Sequence, residues 1–317
     1  MDSCGPSLIW KKKTEPFTFR LGRRTLRRLS IPSLSLETPC TSLSVPLETT
    51  LAALPRIPGD CRAIVLPAYP VERKPPRFAG LFKPVFRYVS NSGPRQLIHL
   101  RGAFAQYAAK FPHKRRHWLM REARKFAEHC GGSLDLRTFQ VPEDMASFRE
   151  TAAAITSRTY KSRIGARFEE TREELEALAS ERAALGYVLY CKGSPVAYEY
   201  FRVQGNNILL ASTAFDPAYA KFSPGTVLLW TVLQDLFEEQ AFDYLDFLWG
   251  QYGYKKFFAT ATLDVAAVFC FRNTPANLAL AGCHFALILA TRAMLWVTRD
   301  GPLARLRRGR PDPDPGL

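Results

Sequence analysis

The stretch ILLASTAFDPAYAKFSPGTVLL, residues 208–229, decides how this chain is read. Its first seven residues suit a strand, Asp216-Pro217 interrupts it, and Ser223-Pro224 places a capping residue and a first-turn proline at the start of a helix. Val227, Leu228, Val232 and Leu236 then recur on one helical face. A helix start leaves backbone N–H groups unpaired and carries about half a positive charge, so it attracts phosphate without a basic side chain. Gly225 would let a ligand approach the backbone closely. The same three residues also open helices that bind nothing, so the flanking elements decide their meaning.

Downstream, Tyr244 to Leu248 reads as a strand, Gly250 to Phe258 as a loop or short helix, and Leu263 to Phe271 as a further strand. Upstream, Tyr187 to Cys191 and Val196 to Val203 flank Lys192-Gly193-Ser194 and, with Ile208 to Ala214, predict an antiparallel meander. Before it, Leu134 to Gln140 predicts a strand, Pro142 opens a helix reaching about Tyr160, and Thr171-x-x-Glu174 predicts a capping box on a second helix closed by Gly186. Phe104 to His129 has helical spacing, divided at Pro112 and ended by Gly131-Gly132. Its basic residues between Lys114 and Lys125 suit either a solvated face or a polyanion clamp.

The resulting order is strand, two helices, three-strand meander, helix, strand, loop or helix, strand. It is similar to the GNAT superfamily of acyl-CoA N-acyltransferases. The segments Ala214 to Ala220 and Phe222 to Leu229, then Leu245-Asp246-Phe247, Gly250 and Tyr254-Lys255, resemble the branch holding FemAB-like transferases and polysaccharide-associated acetyltransferases. Leu100 to Phe104, the basic helix around Arg116 to Phe126, and Arg158 to Arg163 also sit where that branch has similar stretches. The resemblance covers roughly residues 95 to 272 and implies an α/β fold, an α+β mixed sheet of GNAT type, with a degenerate first GNAT-like lobe. It implies acetyl-CoA or another acyl-CoA as co-substrate, with aminoacyl-tRNA as the alternative donor, because relatives in this branch use it. The phosphate loop departs from the commonest pattern: Ala220 to Gly225 offers one glycine and Lys221.

Acyl transfer needs a nucleophile freed of its proton, donors for an oxyanion, and a proton for the leaving group. The resemblance puts donor contacts at Thr213, Phe222, Ser223, Pro224, Gly225 and Thr226, with the Thr213 backbone near the oxyanion. Asp246 either orients an acceptor or hydrogen-bonds the local backbone, and Glu199 is either a second base or a strand carboxylate in solvent. Lys255 matches the family lysine that neutralises charge, and Tyr254 either donates a proton or packs. Tyr160, Lys161 and Arg163 are expected on the acceptor side, which would take a small molecule such as a sugar precursor. No Ser-His-Asp order and no metal-ligand spacing is present.

The 317 residues are 47% hydrophobic, enough for one large core or two modest ones. The formal net charge of +15 is concentrated at the ends: residues 1–30 hold eight basic side chains against Asp2 and Glu15. Seven cysteines with no C-x-x-C pair and no signal-peptide pattern suggest a reducing cytoplasm. Pro, Ser, Thr and Leu alternate from Ile31 to Pro58, which suggests an irregular basic arm over residues 1–60. A degenerate lobe with basic helices would follow over 61–132, the transferase domain over 133–272, and an apolar helix with a basic tail over 273–317. Leu278 to Val297 approaches a membrane span in length, yet carries His284, Thr291 and Arg292, so packing on the domain, peripheral membrane contact and a span all stand as readings. A non-catalytic adaptor built on the same fold is the alternative from another functional class.

Overall fold

The computed structural model describes residues 8–22, 24–159, 167–250 and 252–296. Two compact units divide the chain, the first formed by Met1–Pro94 with Leu263–Leu317 and the second by Arg95–Thr262.

The first unit opens on an antiparallel hairpin, β1 (Trp10–Leu21) and β2 (Arg24–Leu36), paired from Trp10↔Leu36 to Leu21↔Arg24. This corrects the expected irregular arm. The period of two is hidden in the composition because serines, not only apolar residues, point inward. Ile31, Ser33 and Ser35 are buried, and their polar atoms are satisfied: Ser33 Oγ donates to the Ile31 carbonyl at 2.9 Å and Ser35 Oγ to Glu15 Oε1 at 2.6 Å. Then come α1 (Leu47–Ala52), β3 (Ala63–Pro70), β4 (Phe78–Ala79) and β5 (Val85–His99). Strand β3 runs parallel to β2, and β4 pairs with β5.

The second unit begins at Arg95 within β5 and carries α2 (Phe104–Ala109), α3 (His113–Cys130), β6 (Asp135–Phe139), α4 (Pro142–Arg158) and α5 (Arg172–Ser180). Pro112 does separate α2 from α3, and Gly131, at φ +116°, ends α3. The capping box on α5 is reciprocal: Glu174 N–H donates to Thr171 Oγ1 at 3.2 Å, and Thr171 N–H to Glu174 Oε2 at 2.9 Å. Gly186 does not close that helix. It lies in the next strand, where an added Cβ would stand 2.5 Å from the Phe148 ring.

The meander is β7 (Ala184–Cys191), β8 (Ser194–Gln204) and β9 (Asn207–Phe215), followed by α6 (Pro224–Glu239), β10 (Tyr244–Asp246) and α7 (Gly253–Phe258). The second unit's sheet order is β5, β10, β9, β8, β7, β6, with β9 and β10 the parallel pair. Along β8 the side chains alternate faces. Tyr198 and Tyr200 join Phe148, Ile155 and Leu175 of α4 and α5, whereas Ala197 and Phe201 join α3 and α6 through Phe126, Leu228 and Leu233. Glu199 therefore falls on the α6 face. The chain returns to the first unit through β11 (Ala261–Arg272), antiparallel to β3, and ends in α8 (Pro275–Leu295).

A disulfide joins Cys130, at the end of α3, to Cys191, at the end of β7. The cysteine spacing suggested a reducing compartment and signalled no disulfide, and this bond differs from that expectation; two residues 61 positions apart leave no local pattern in the sequence. Closing a loop of that length should stabilise the fold by about 4 kcal/mol on the chain-entropy account. Alkylation of the denatured, unreduced protein should label Cys40, Cys61, Cys270 and Cys283 and leave Cys130 and Cys191 unmodified, and reduction should lower the unfolding midpoint; labelling of Cys130 and Cys191 at the outset would refute the bond.

Candidate functional site

The site is organised around two strands that part. Strand β10 pairs with β9 at Tyr244↔Asn207, Leu245↔Ile208 and Asp246↔Leu209, and then stops. Strand β9 continues to Phe215, so residues 210–215 have no β10 partner. The cause is visible at Asp246. Its Oδ1 accepts the Leu248 N–H at 2.7 Å, which bends the chain through Leu248 at φ +56°. Its Oδ2 accepts from Arg95 Nη1 at 2.6 Å, and the Phe247 N–H turns to the Gln96 carbonyl on the other neighbour. Arg95 and Asp246 are both buried, and the guanidinium lies 5.1 Å from the Trp249 ring. Of the two roles open to Asp246, this geometry matches the one that shapes the loop.

Lys255 braces the same loop. Its Nζ donates to the carbonyls of Phe247 at 2.6 Å and Trp249 at 2.9 Å, and it sits over the Tyr252 ring at 5.3 Å. Gly250, at φ +111°, has that ring 2.9 Å from where a Cβ would stand, so no larger residue fits between them. The expectation that Lys255 faces donor charge differs from this: a buried ammonium already engaged by two carbonyls is a clamp. Tyr254 packs edge-on against Phe247 at 5.9 Å and beside Tyr252. Burial pushes its phenol well above the usual range and the charge of Glu199 adds to the effect, so the hydroxyl keeps its proton.

Glu199 is the exceptional group. It is 2% exposed, and its Oε2 has no hydrogen-bond partner among the described residues. Desolvation raises its carboxyl from an ordinary 4.5 to about 8. The alternative of a solvent-facing strand carboxylate is overturned, because α6 covers this face of β8. Glu199 stands opposite Tyr187 on β7 and Thr213 on β9. The Tyr187 hydroxyl is also buried and unpartnered, and burial first, then the charges of Glu239, Asp235 and Glu199, push its phenol well up. At the end of β9, the Asp216 N–H donates to the Val196 carbonyl of β8 at 2.8 Å. Antiparallel alternation then directs the Ala214 and Ser212 N–H groups to β8 and those of Thr213 and Phe215 to the open edge. Thr213 thus offers a free-edge backbone donor beside a buried carboxyl group.

The start of α6 is less free than the sequence suggests. Ser223 adopts a left-handed conformation, φ +52°, and its side chain makes no capping bond. Its hydroxyl instead points to Glu122 Oε2 of α3 at 3.5 Å, while Arg121 and Lys125 lie within 3.4 and 3.6 Å of the other carboxylate oxygen. The Thr226 and Val227 N–H groups both return to the Ser223 carbonyl at 3.0 Å, and Pro224 has no N–H. Among the described residues, the Gly225 N–H is the donor left at this end. Gly225 also accommodates Phe215, whose ring lies 3.3 Å from its notional Cβ. Phe222 stacks on His129 at 4.2 Å and under Lys221 at 4.9 Å. A buried carboxylate thus occupies the positive end of the helix, where the sequence places donor phosphate.

The structure brings Glu199, Thr213 and Tyr254 together and assigns Asp246 and Lys255 to the loop between them. Tyr160, Lys161 and Arg163 lie outside the described residues. Sequence reasoning missed Arg95, Tyr187, Glu122 and His129, which reach the site from β5, β7 and α3. No group of three or more histidine, cysteine or acidic residues suited to a metal occurs among the described residues. A cleft of ≈ 1060 Å³, walled in part by Arg56, Lys83, Arg87 and Arg272, is lined by first-unit residues and shares none with this site.

Strand order, parted strands and the helix between them define a GNAT-type acyltransferase fold. Residues 113–256 match the acetyltransferase (GNAT) domain family. Among solved structures, FemX superposes with a TM-score of 0.51 at 11% identity, covering 86% of this chain and 90% of that one. The C-terminal domain of a putative lysylphosphatidylglycerol synthetase from Agrobacterium fabrum gives 0.48 at 10% identity, covering 89% and 88%. No curated protein matches the sequence.

Two outcomes check this geometry. Glu199, which holds its proton up to about pH 8 when folded, contributes stability that is complete below about 4.5 and is lost as pH rises toward 8; Glu199→Gln should remove that slope and raise the unfolding midpoint at pH 8. Arg95→Met should destabilise by about 3 to 5 kcal/mol in chemical denaturation, because it strands the buried Asp246 charge.

Proposed function

We propose that this protein transfers an acyl group to an amine or hydroxyl of a small acceptor, with Glu199 as the general base. The observation that carries the reading is the buried Glu199, its Oε2 unpartnered, opposite Thr213 on an open strand edge. A carboxyl lifted to about 8 is a competent base near neutrality, since it binds a proton far more strongly than an exposed glutamate. The acceptor loses a proton to Glu199 as its nitrogen or oxygen attacks the acyl carbon. The developing oxyanion meets the Thr213 N–H on the free edge, and the still-protonated Tyr254 supplies the leaving group's proton. Arg95, Asp246 and Lys255 act through the loop they hold, by keeping β9 and β10 apart.

Acetyl from acetyl-CoA is the simplest donor for a GNAT-type fold, and a sugar precursor is one acceptor class the reading admits. In that case the donor's arm runs along residues 210–215 and its phosphates reach the Gly225 N–H, with Glu122 drawn toward Arg121 and Lys125. A second reading, aminoacyl transfer from tRNA, is favoured by a specific observation. Glu122 at the start of α6 repels a pyrophosphate, whereas α3 exposes Lys114, Arg115, Arg121, Arg124 and Lys125 to a polyanion.

Calorimetric titration with acetyl-CoA and with charged tRNA separates the donors. Saturable acetyl-CoA binding that Gly225→Glu abolishes and Glu122→Gln strengthens supports the first; binding of tRNA alone supports the second. With the donor in hand, Glu199→Gln should lower kcat roughly 10²- to 10⁴-fold and leave donor affinity unchanged. The wild-type rate should climb with pH to a plateau above about 8, and a variant retaining full turnover would remove Glu199 from the mechanism.

A further inference from the structure

Of the exposed large apolar side chains described in the first unit, Leu21, Leu26, Met294, Leu295 and Trp296 gather where two elements end, while Ile9, Leu81, Phe82, Val85 and Leu289 lie elsewhere. At the hairpin tip Leu21 is 37% and Leu26 50% exposed; in the last turns of α8 and just after it, Met294, Leu295 and Trp296 are 42%, 43% and 61% exposed. These residues form one surface, because the Gly22 N–H donates to Thr291 Oγ1 at 3.0 Å and a Cβ on Gly22 would stand 2.8 Å from the Met294 methyl. Arg20, Arg24, Arg27, Arg28 and Arg292 are exposed around them. We propose that the hairpin tip and the C-terminal turns of α8 dock the protein peripherally on a membrane carrying anionic lipid.

The chemistry selects this occupant. Water penalises a cluster of Leu, Met and Trp in proportion to its area, whereas the boundary between headgroups and acyl chains accepts it. Trp suits that boundary, with an apolar body and a polar N–H. The arginine belt supplies attraction to lipid phosphate. Phosphate alone would satisfy the arginines and leave the leucines and methionine in water, which argues against a nucleic acid as the occupant.

Helix α8 is apolar enough to cross a bilayer, with a mean hydropathy of 1.7 and only 6% of its most apolar window buried. It nevertheless keeps one face on its own unit. His284 Nδ1 lies 2.6 Å from the Tyr88 hydroxyl, Phe285 meets Phe78 edge-on at 5.6 Å, and Asn277 Oδ1 accepts from Arg62. A spanning helix would surrender these contacts and carry Arg292 into lipid. Lying along the unit, it presents its last turns to the headgroup region while the contacts persist.

Co-sedimentation of the full chain with vesicles tests the assignment. Vesicles of phosphatidylglycerol and phosphatidylcholine in equal parts should retain the protein, phosphatidylcholine alone should not, and high salt should weaken retention. Arg24→Gln with Arg27→Gln should lower vesicle affinity roughly 30-fold, the value for two interfacial cations at about 1 kcal/mol each. Leu26→Ser with Trp296→Ser should lower vesicle affinity at least as far without altering tRNA binding. All four positions are solvent-exposed, and an unchanged thermal midpoint verifies that the variants fold. Equal retention by neutral vesicles, or retention that only detergent reverses, would overturn peripheral docking. So would serine variants that still sediment while the glutamine variant loses tRNA, which assigns the surface to nucleic acid.

Discussion

The Asp246 carboxylate sets the geometry on which the site depends. A parallel pair such as β9 and β10 would ordinarily extend as long as both strands supply N–H and C=O groups. Here one oxygen of Asp246 takes the Leu248 N–H and the other takes Arg95, so the chain leaves the sheet after three paired residues. Lys255 then ties the departing carbonyls of Phe247 and Trp249 together. Each of these charges is buried and would be costly alone; paired and hydrogen-bonded, they hold a bend that apolar packing by itself could not direct. The open edge of β9 is the consequence.

Opening that edge gives meaning to Glu199. A buried carboxyl with one oxygen unpartnered, in a covered sheet face, is a liability for folding, and its raised proton affinity reflects that cost. The same isolation is what the proposed role of Glu199 as a general base rests on. Burial likewise keeps the protons on the hydroxyls of Tyr187 and Tyr254. The start of α6 shows a different compromise. Its positive end is shared between one outward N–H at Gly225 and the resident Glu122, which makes the donor's anionic end the property most open to experiment.

The first unit obeys another constraint. Its hairpin covers apolar rings on one side, with Phe17 against Phe269 and His284, and carries arginines at its tip. Helix α8 satisfies its polar atoms against the same unit and leaves most of its apolar surface outside. The chain's strong positive charge therefore lies partly on a defined surface.

Local signals fixed much of the second unit. Pro112, the Thr171–Glu174 box, the turns around Gly193 and Gly205, and Pro224 each act within a few residues, and the helices and meander they mark are present. The hairpin was illegible because its inward serines mimic a polar loop until Glu15, twenty residues away, satisfies one of them. The Cys130–Cys191 bond was hidden for the same reason of distance. At the site, the sequence supplied Glu199, Thr213, Asp246, Tyr254 and Lys255 as candidates, but not their roles. A residue's type determines what chemistry it can perform; burial and partners determine which of those it performs. Only the tertiary structure brought Arg95 to Asp246, closed α6 over Glu199 and set Glu122 beside Ser223, because each contact joins residues far apart in the chain.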